Sequence, residues 1–217
     1  MHPRRDAALA AFTRYRCSAI LRTDLPAAVR PALEAAITGG CRIVEVTLTT
    51  PDALDHIAAL AERKQLTVGA GTVLTIDQAK EALAAGAVFV VSPITDPQLI
   101  TFCRQHDLLS VPGTSTPTEM MTAHHAGADL VKLFPAPANG PEFVRACRAP
   151  LPFLKIFPTG GVTEDNINDW LLAGSFGVGF VGSLFAPDDL RAGRFDAVRA
   201  RAARMVAKVD AFFAGKP

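Results

Sequence analysis

Asp129-Leu130-Val131-Lys132-Leu133-Phe134-Pro135 is a short apolar run with one lysine at its centre. A run of this length, ended by a proline, predicts a strand buried on both faces. Just upstream, Thr116-Pro117-Thr118-Glu119 has the spacing of a capping box at a helix start, and Ala126-Gly127 is a helix stop. Residues 116–134 therefore form one unit of cap, helix, glycine and buried strand.

The unit recurs along the chain. Strands are expected near 18–22, 42–48, 66–70, 87–91, 108–112, 129–134, 154–158 and 176–181. Helical patterns fall near 26–38, 51–64, 75–85, 96–106, 116–126, 141–148 and 164–173, with a last helix near 195–213 and an extra one near 4–15 ahead of the first strand. Further caps stand at Thr50-Pro51-Asp52 and Thr75-Ile76-Asp77, and further stops at Thr38-Gly39-Gly40, Ala85-Gly86 and Ala173-Gly174. Eight such units of roughly 20–25 residues predict an α/β protein, a (β/α)8 TIM barrel with an additional N-terminal helix. A doubly wound sheet is the rival, but it seldom needs eight such even repeats. Residues 1–217 are expected to form one barrel domain, a length that suits this fold.

Composition narrows the function. Hydrophobic residues make up 49%, enough for a large core, and the net charge of +1 does not point to nucleic acid or an anionic membrane surface. No apolar run reaches the roughly 18 residues of a membrane span. The N-terminus has no signal-peptide pattern, and Cys17, Cys41, Cys103 and Cys147 are scattered without disulfide or metal spacing. They read as reduced thiols of a cytoplasmic protein. His124-His125 are helix neighbours that point in different directions, so no metal is expected.

In a barrel of this kind the chemistry lies where the C-terminal ends of the strands meet their following loops. Burial disfavours the charged form of Lys132, and a neutral amine can attack a ketone to form a Schiff base. The bland alternative is a lysine whose stem lies along the strand while its ammonium reaches solvent. Glu45, within Ile43-Val44-Glu45-Val46-Thr47, is a second buried charge, and burial raises a carboxyl pKa towards the range useful for moving protons. Its alternative is a structural ion pair with Arg22 or Arg42. Lys155, in Leu154-Lys155-Ile156-Phe157-Pro158, echoes the Lys132 run with the same spacing to proline, and strand pattern leaves open which lysine reacts. Glycines after the last two strands, Gly160-Gly161 and Gly182-Ser183, leave backbone N–H groups bare for a phosphate, assisted by the following helix N-termini.

Taken in order, Glu45-Val46-Thr47-Leu48, Gly69-Ala70-Gly71-Thr72-Val73, Val111-Pro112-Gly113, Lys132-Leu133-Phe134-Pro135 and Pro158-Thr159-Gly160-Gly161 resemble the 2-keto-3-deoxy-6-phosphogluconate aldolase family. That family of class I pyruvate aldolases includes 4-hydroxy-2-oxoglutarate and 2-keto-3-deoxy-6-phosphogalactonate aldolases, and the resemblance spans about residues 16–208. It implies Lys132 as the Schiff-base lysine and Glu45 as the general acid/base. It implies Thr72 and Thr159 around the pyruvyl carboxylate, Pro93 and Phe134 along the pocket, and Gly160, Gly161, Gly182 and Ser183 at the phosphate. The gluconate enzymes commonly carry arginine where this chain has Thr49. Arg22 resembles an arginine of the galactonate branch and is the nearest candidate to hold the substrate carboxylate. The resemblance further implies a phosphorylated keto-acid substrate, no metal or organic cofactor, and a homotrimer.

Overall fold

The computed structural model describes residues 3–215. Helix α1 (Pro3–Tyr15) leads into β1 (Cys17–Leu21) and α2 (Pro26–Thr38), then β2 (Ile43–Thr47) and α3 (Ala53–Ala61), and β3 (Thr67–Gly71) and α4 (Ile76–Ala84). There follow β4 (Phe89–Val91) and α5 (Pro97–Gln105), then β5 (Leu109–Val111), β6 (Gly113–Thr114) and α6 (Pro117–His125). The chain closes with β7 (Val131–Leu133) and α7 (Gly140–Arg148), β8 (Ile156–Pro158) and α8 (Ile167–Leu172), and β9 (Val178–Phe180), α9 (Pro187–Arg191) and α10 (Phe195–Ala214).

Every strand pairing is parallel, in the orders β5-β4-β3-β2-β1-β9 and β6-β7-β8. The two runs are one closed sheet. β5 and β6 are a single stave interrupted at Pro112, which has no N–H to give to the ladder. Its carbonyl still accepts from Lys132 N at 2.8 Å. At the other seam, Thr159 bridges to Gly179 and joins β8 to β9. Eight parallel staves ringed by helices make the expected (β/α)8 barrel.

Alternation along each stave divides the apolar residues into two cores. Outward residues such as Val44, Val46, Val131 and Leu133 pack under the helices. Inward ones, including Ile43, Phe89, Leu109, Leu130 and Phe157, form the barrel interior together with Ala8 and Phe12 of α1. The N-terminal helix is thus the floor of the barrel. Phe12 is 1% exposed and meets Phe89 and Phe157 edge to face, with ring centroids 5.2 and 5.5 Å away. The helix is fastened there by the Arg4 and Arg5 amides donating to the Asp107 carboxylate, and by an Arg5–Asp129 ion pair.

Several boundaries differ from the expectation for local reasons. The capping boxes at Thr75 and Thr116 form, each with its partner three residues on. Thr50 does not cap α3; its hydroxyl donates to Leu21 O (3.3 Å) and lies 3.0 Å from Thr47 Oγ1, tying β2 to β1. α8 is shorter than 164–173 because Asn166 folds back, accepting from Thr163 N and donating to Gly161 O. The short α9 has no counterpart in the expected series.

Candidate active site

Lys132 sits at the middle of β7, between Gly113 and Phe157 in register, and Glu45 sits on β2 between Ile20 and Gly69. They are 3% and 2% exposed. Both line one internal cavity of about 10 Å³, closed below by Phe12 and Phe157 and bordered by Ser18 and Thr159. That volume holds about one water. The lysine ammonium lies 4.7 Å from the centre of the Phe134 ring. Glu45 Oε1 is buried with no hydrogen-bond partner among the described residues. Its space is created by Gly71, where a Cβ would fall 1.9 Å from that oxygen.

The electrostatics follow from burial. Desolvation pushes the Lys132 pKa down; Glu45 opposes this and Arg22 adds to it. Desolvation pushes the Glu45 pKa up, against the pull of Lys132 and Arg22. Both shifts therefore run towards the neutral forms, an amine and a carboxylic acid, against the mutual attraction of the two charges. That pairing offers a nucleophile and a proton donor in one enclosed space.

Register separates the two lysines that the pattern could not. Val131 pairs with Ile156 and Lys132 with Phe157, so Lys155 lies level with Leu130, towards the floor of the barrel. Its ammonium is 5.6 Å from the Phe176 ring, and it does not line the cavity shared by Lys132 and Glu45. Among the described residues neither arginine of the ion-pair alternative is within ion-pair distance of Glu45, although Arg22 still acts on it electrostatically. Arg42 donates to Ile37 O and Cys41 O, both at 3.1 Å, and Arg22 Nη2 donates to Thr72 Oγ1 at 3.0 Å.

The other expected residues occupy the upper end of the barrel. Arg22 is exposed just past β1. Thr72 follows β3 with φ of +60°, a conformation that strains a β-branched residue and is kept where surrounding contacts enforce it. Thr49 is exposed, its hydroxyl 3.1 Å from that of Thr47. Pro93 and Phe134 line an open groove of about 330 Å³ with Thr95, Gly113 and Ser115. Thr159 is buried at the cavity edge and leads directly into Gly160 and Gly161, whose φ angles are +80° and +76°. Across from them, Val181 O accepts from Leu184 N and Phe185 N, closing a single turn around Gly182 and Ser183. Ser183 Oγ is buried without a partner among the described residues. One correction is needed: α8 and α9 begin only at Ile167 and Pro187, so no helix N-terminus abuts Gly160-Gly161 or Gly182-Ser183.

Phe12 and Ser18 were not foreseen at the site. A lone phenylalanine in an amphipathic helix carries no sign of where that helix docks, and Ser18 reads simply as part of a strand.

The family description "Aldolase: KDPG and KHG aldolase" matches residues 10–201, nearly the whole barrel. The chain belongs to this family. It is similar to the "2-dehydro-3-deoxy-phosphogluconate aldolase" of Treponema pallidum, at 39% identity over 65% of this chain and 68% of that protein. It is similar to the "Probable 2-dehydro-3-deoxy-6-phosphogalactonate aldolase" of Rhizobium meliloti, at 36% identity over 91% and 93%. Among solved structures it resembles the KDPG aldolase of Legionella pneumophila "with pyruvate captured at low pH as a covalent carbinolamine intermediate". That likeness has a TM-score of 0.83 and 26% identity, over 91% of this chain and 97% of the other. As a KDPG and KHG aldolase family member, the chain is an aldolase, a lyase of carbon–carbon bonds.

Proposed function

We propose that this aldolase reversibly cleaves a 2-keto-3-deoxy-6-phospho sugar acid of the phosphogluconate type to pyruvate and glyceraldehyde 3-phosphate, through a Schiff base on Lys132. It also accepts 4-hydroxy-2-oxoglutarate. The observation that carries this reading is a lysine and a glutamate, 3% and 2% exposed, lining one cavity inside the barrel, with Glu45 Oε1 left without a hydrogen-bond partner among the described residues.

The steps follow from the two groups. The neutral Lys132 amine attacks the C2 ketone, and Glu45 donates a proton to the oxygen that departs as water. The protonated imine then withdraws electrons from C3. As the C4 hydroxyl loses its proton, to Glu45 or a bound water, the C3–C4 bond breaks and the aldehyde leaves. The electron pair remains on an enamine, which takes a proton at C3 and is hydrolysed to pyruvate and free lysine. Arg22, Thr49, Thr72 and Thr159 hold the pyruvyl carboxylate end, Pro93 and Phe134 line the chain of the substrate, and Gly160, Gly161, Gly182 and Ser183 receive the phosphate. The reaction needs neither metal nor organic cofactor.

The galactonate substrate is the second reading. It is favoured by an uncharged Thr49 together with Arg22 bound to Thr72 at the mouth, and by the Rhizobium relative that spans nearly the whole chain. Cleavage assays with both sugar acids rank the two. We further infer that the chain works as one barrel domain in the cytoplasm, as a homotrimer. Four free cysteines, all buried, support a reducing compartment, and a periplasmic location in cell fractionation would remove that inference.

The deciding experiment is reduction with borohydride in the presence of pyruvate, followed by peptide mass spectrometry. A pyruvyl adduct on Lys132 is expected, together with loss of cleavage in a folded Lys132→Ala protein. An adduct on Lys155 overturns the site. No adduct on folded protein moves the barrel to phosphosugar isomerisation or simple binding.

A further inference from the structure

The two loops read above as the phosphate site are held from behind by one helix. On α10, Arg201, Arg204 and Lys208 are spaced i, i+3 and i+7 and so share one edge, beside the buried face of Val198, Ala202, Met205 and Val209. Arg201 Nη1 donates to Leu184 O at 2.7 Å, in the turn that carries Gly182 and Ser183. Its Nη2 donates to Asp189 Oδ2 at 2.6 Å, and the other oxygen of that buried carboxylate takes Arg194 Nε at 2.7 Å. Arg204 grips both oxygens of Glu164 at 2.8 and 2.9 Å, and Lys208 donates to the Glu164 carbonyl at 2.8 Å. Glu164 belongs to the loop that follows Gly160 and Gly161, where Asn166 also holds Gly161 O. Loops from two different staves are therefore fastened to the same helix edge.

Glycine-rich loops bind an anion well only when their N–H groups are already aimed, because otherwise binding must supply the ordering. We propose that Arg201 and Arg204 of α10 are positioning residues that set affinity and specificity for the phosphate end of the substrate, by holding the Gly160–Gly161 and Gly182–Ser183 loops in register with each other. The inference rests on the phosphate reading of those loops. A guanidinium suits the task because its planar fork reaches a carbonyl and a carboxylate at once, which a lysine cannot do in the same geometry. Along this edge Arg194 and Arg201 share the Asp189 carboxylate, Arg204 pairs with Glu164, and Lys208 holds a backbone carbonyl.

The test uses the full chain with Arg201→Met, Arg204→Met and Arg201→Lys. Two quantities are read. One is kcat/KM for 2-keto-3-deoxy-6-phosphogluconate divided by that for 4-hydroxy-2-oxoglutarate. The other is the concentration of inorganic phosphate that halves cleavage of the second substrate. Each methionine variant is expected to lower the ratio about tenfold and raise the half-inhibiting phosphate similarly, since small misplacements of a positioned group cost rate steeply. Arg201→Lys is expected to recover little. If Arg201→Met does not fold, Arg204→Met still reads the other loop, because its ion pair lies at the surface. Equal loss on both substrates with unchanged phosphate inhibition would make these arginines merely structural and overturn the proposal. A wild-type protein that phosphate inhibits, with variants that match it, overturns this proposal alone. A wild-type protein that ignores phosphate and prefers neither substrate removes the phosphate reading, and this proposal with it.

Discussion

Lys132 and Glu45 are each unfavourable to fold around, and each is placed where its cost is useful. A buried ammonium loses hydration, and so does a buried carboxylate; burial moves both towards neutrality, against their mutual attraction. The carboxyl position depends on a residue that contributes no side chain. Gly71 leaves the space that Glu45 Oε1 occupies, and an added methyl there would fall at 1.9 Å. Gly71→Ala is therefore expected to displace the carboxyl and to lower kcat on the order of a hundredfold, the scale reached when a catalytic group moves by about an ångström. Steady-state kinetics on a variant verified as folded checks this, and an unchanged kcat would remove Glu45 from the proton transfers. The two charged residues were legible as anomalies in apolar runs. That Gly71 faces Glu45 was not, because cross-strand neighbours depend on register.

At the scale of the element, α1 carries the least expected role. Its pattern reads as an ordinary amphipathic helix, yet Phe12 enters the barrel and forms the floor beneath Lys132. Removing that ring should cost about 3–5 kcal/mol of stability, as large-to-small changes in packed cores do. It should also admit water beneath the site. Burial is the main cause that lowers the Lys132 pKa, so rehydration raises it. At any given pH less of the amine is then free, and the rising limb of the pH–rate profile moves to more alkaline pH. Phe12→Ala is thus expected to shift both the denaturant midpoint and the pH profile. A loss of stability with an unmoved profile would confine Phe12 to packing. The helix itself was visible in the sequence; its docking surface was not, since an apolar stripe of Ala8, Leu9 and Phe12 fits many apolar surfaces.

The whole molecule is a closed ring of eight staves, and the residues proposed as reacting pair, carboxylate holders and phosphate loops all belong to one chain. The proposed homotrimer is expected to sediment at three times the 23.0 kDa chain mass. Dilution to separated subunits is expected to leave pyruvate trapping on Lys132 intact. A single species of one chain mass at all concentrations would remove the trimer. Among the described residues no helix is long and apolar enough to cross a membrane.

The fold was legible because its signals are local. Apolar runs, capping boxes and glycine stops repeat at one spacing, and each acts within a turn or a strand. The motifs at the strand ends, taken together, were enough to place the chain in its aldolase family. What could not be read are the relations between segments distant in sequence. The choice of Lys132 over Lys155 as the neighbour of Glu45 turns on the register of β7 against β8. The failure of Thr50 to cap α3 turns on a carbonyl of β1, and the seating of Phe12 and the grip of α10 on two loops turn on packing across the barrel. A lysine three residues before a proline is the same pattern twice in one chain; barrel closure puts one of them against the glutamate and the other near the floor.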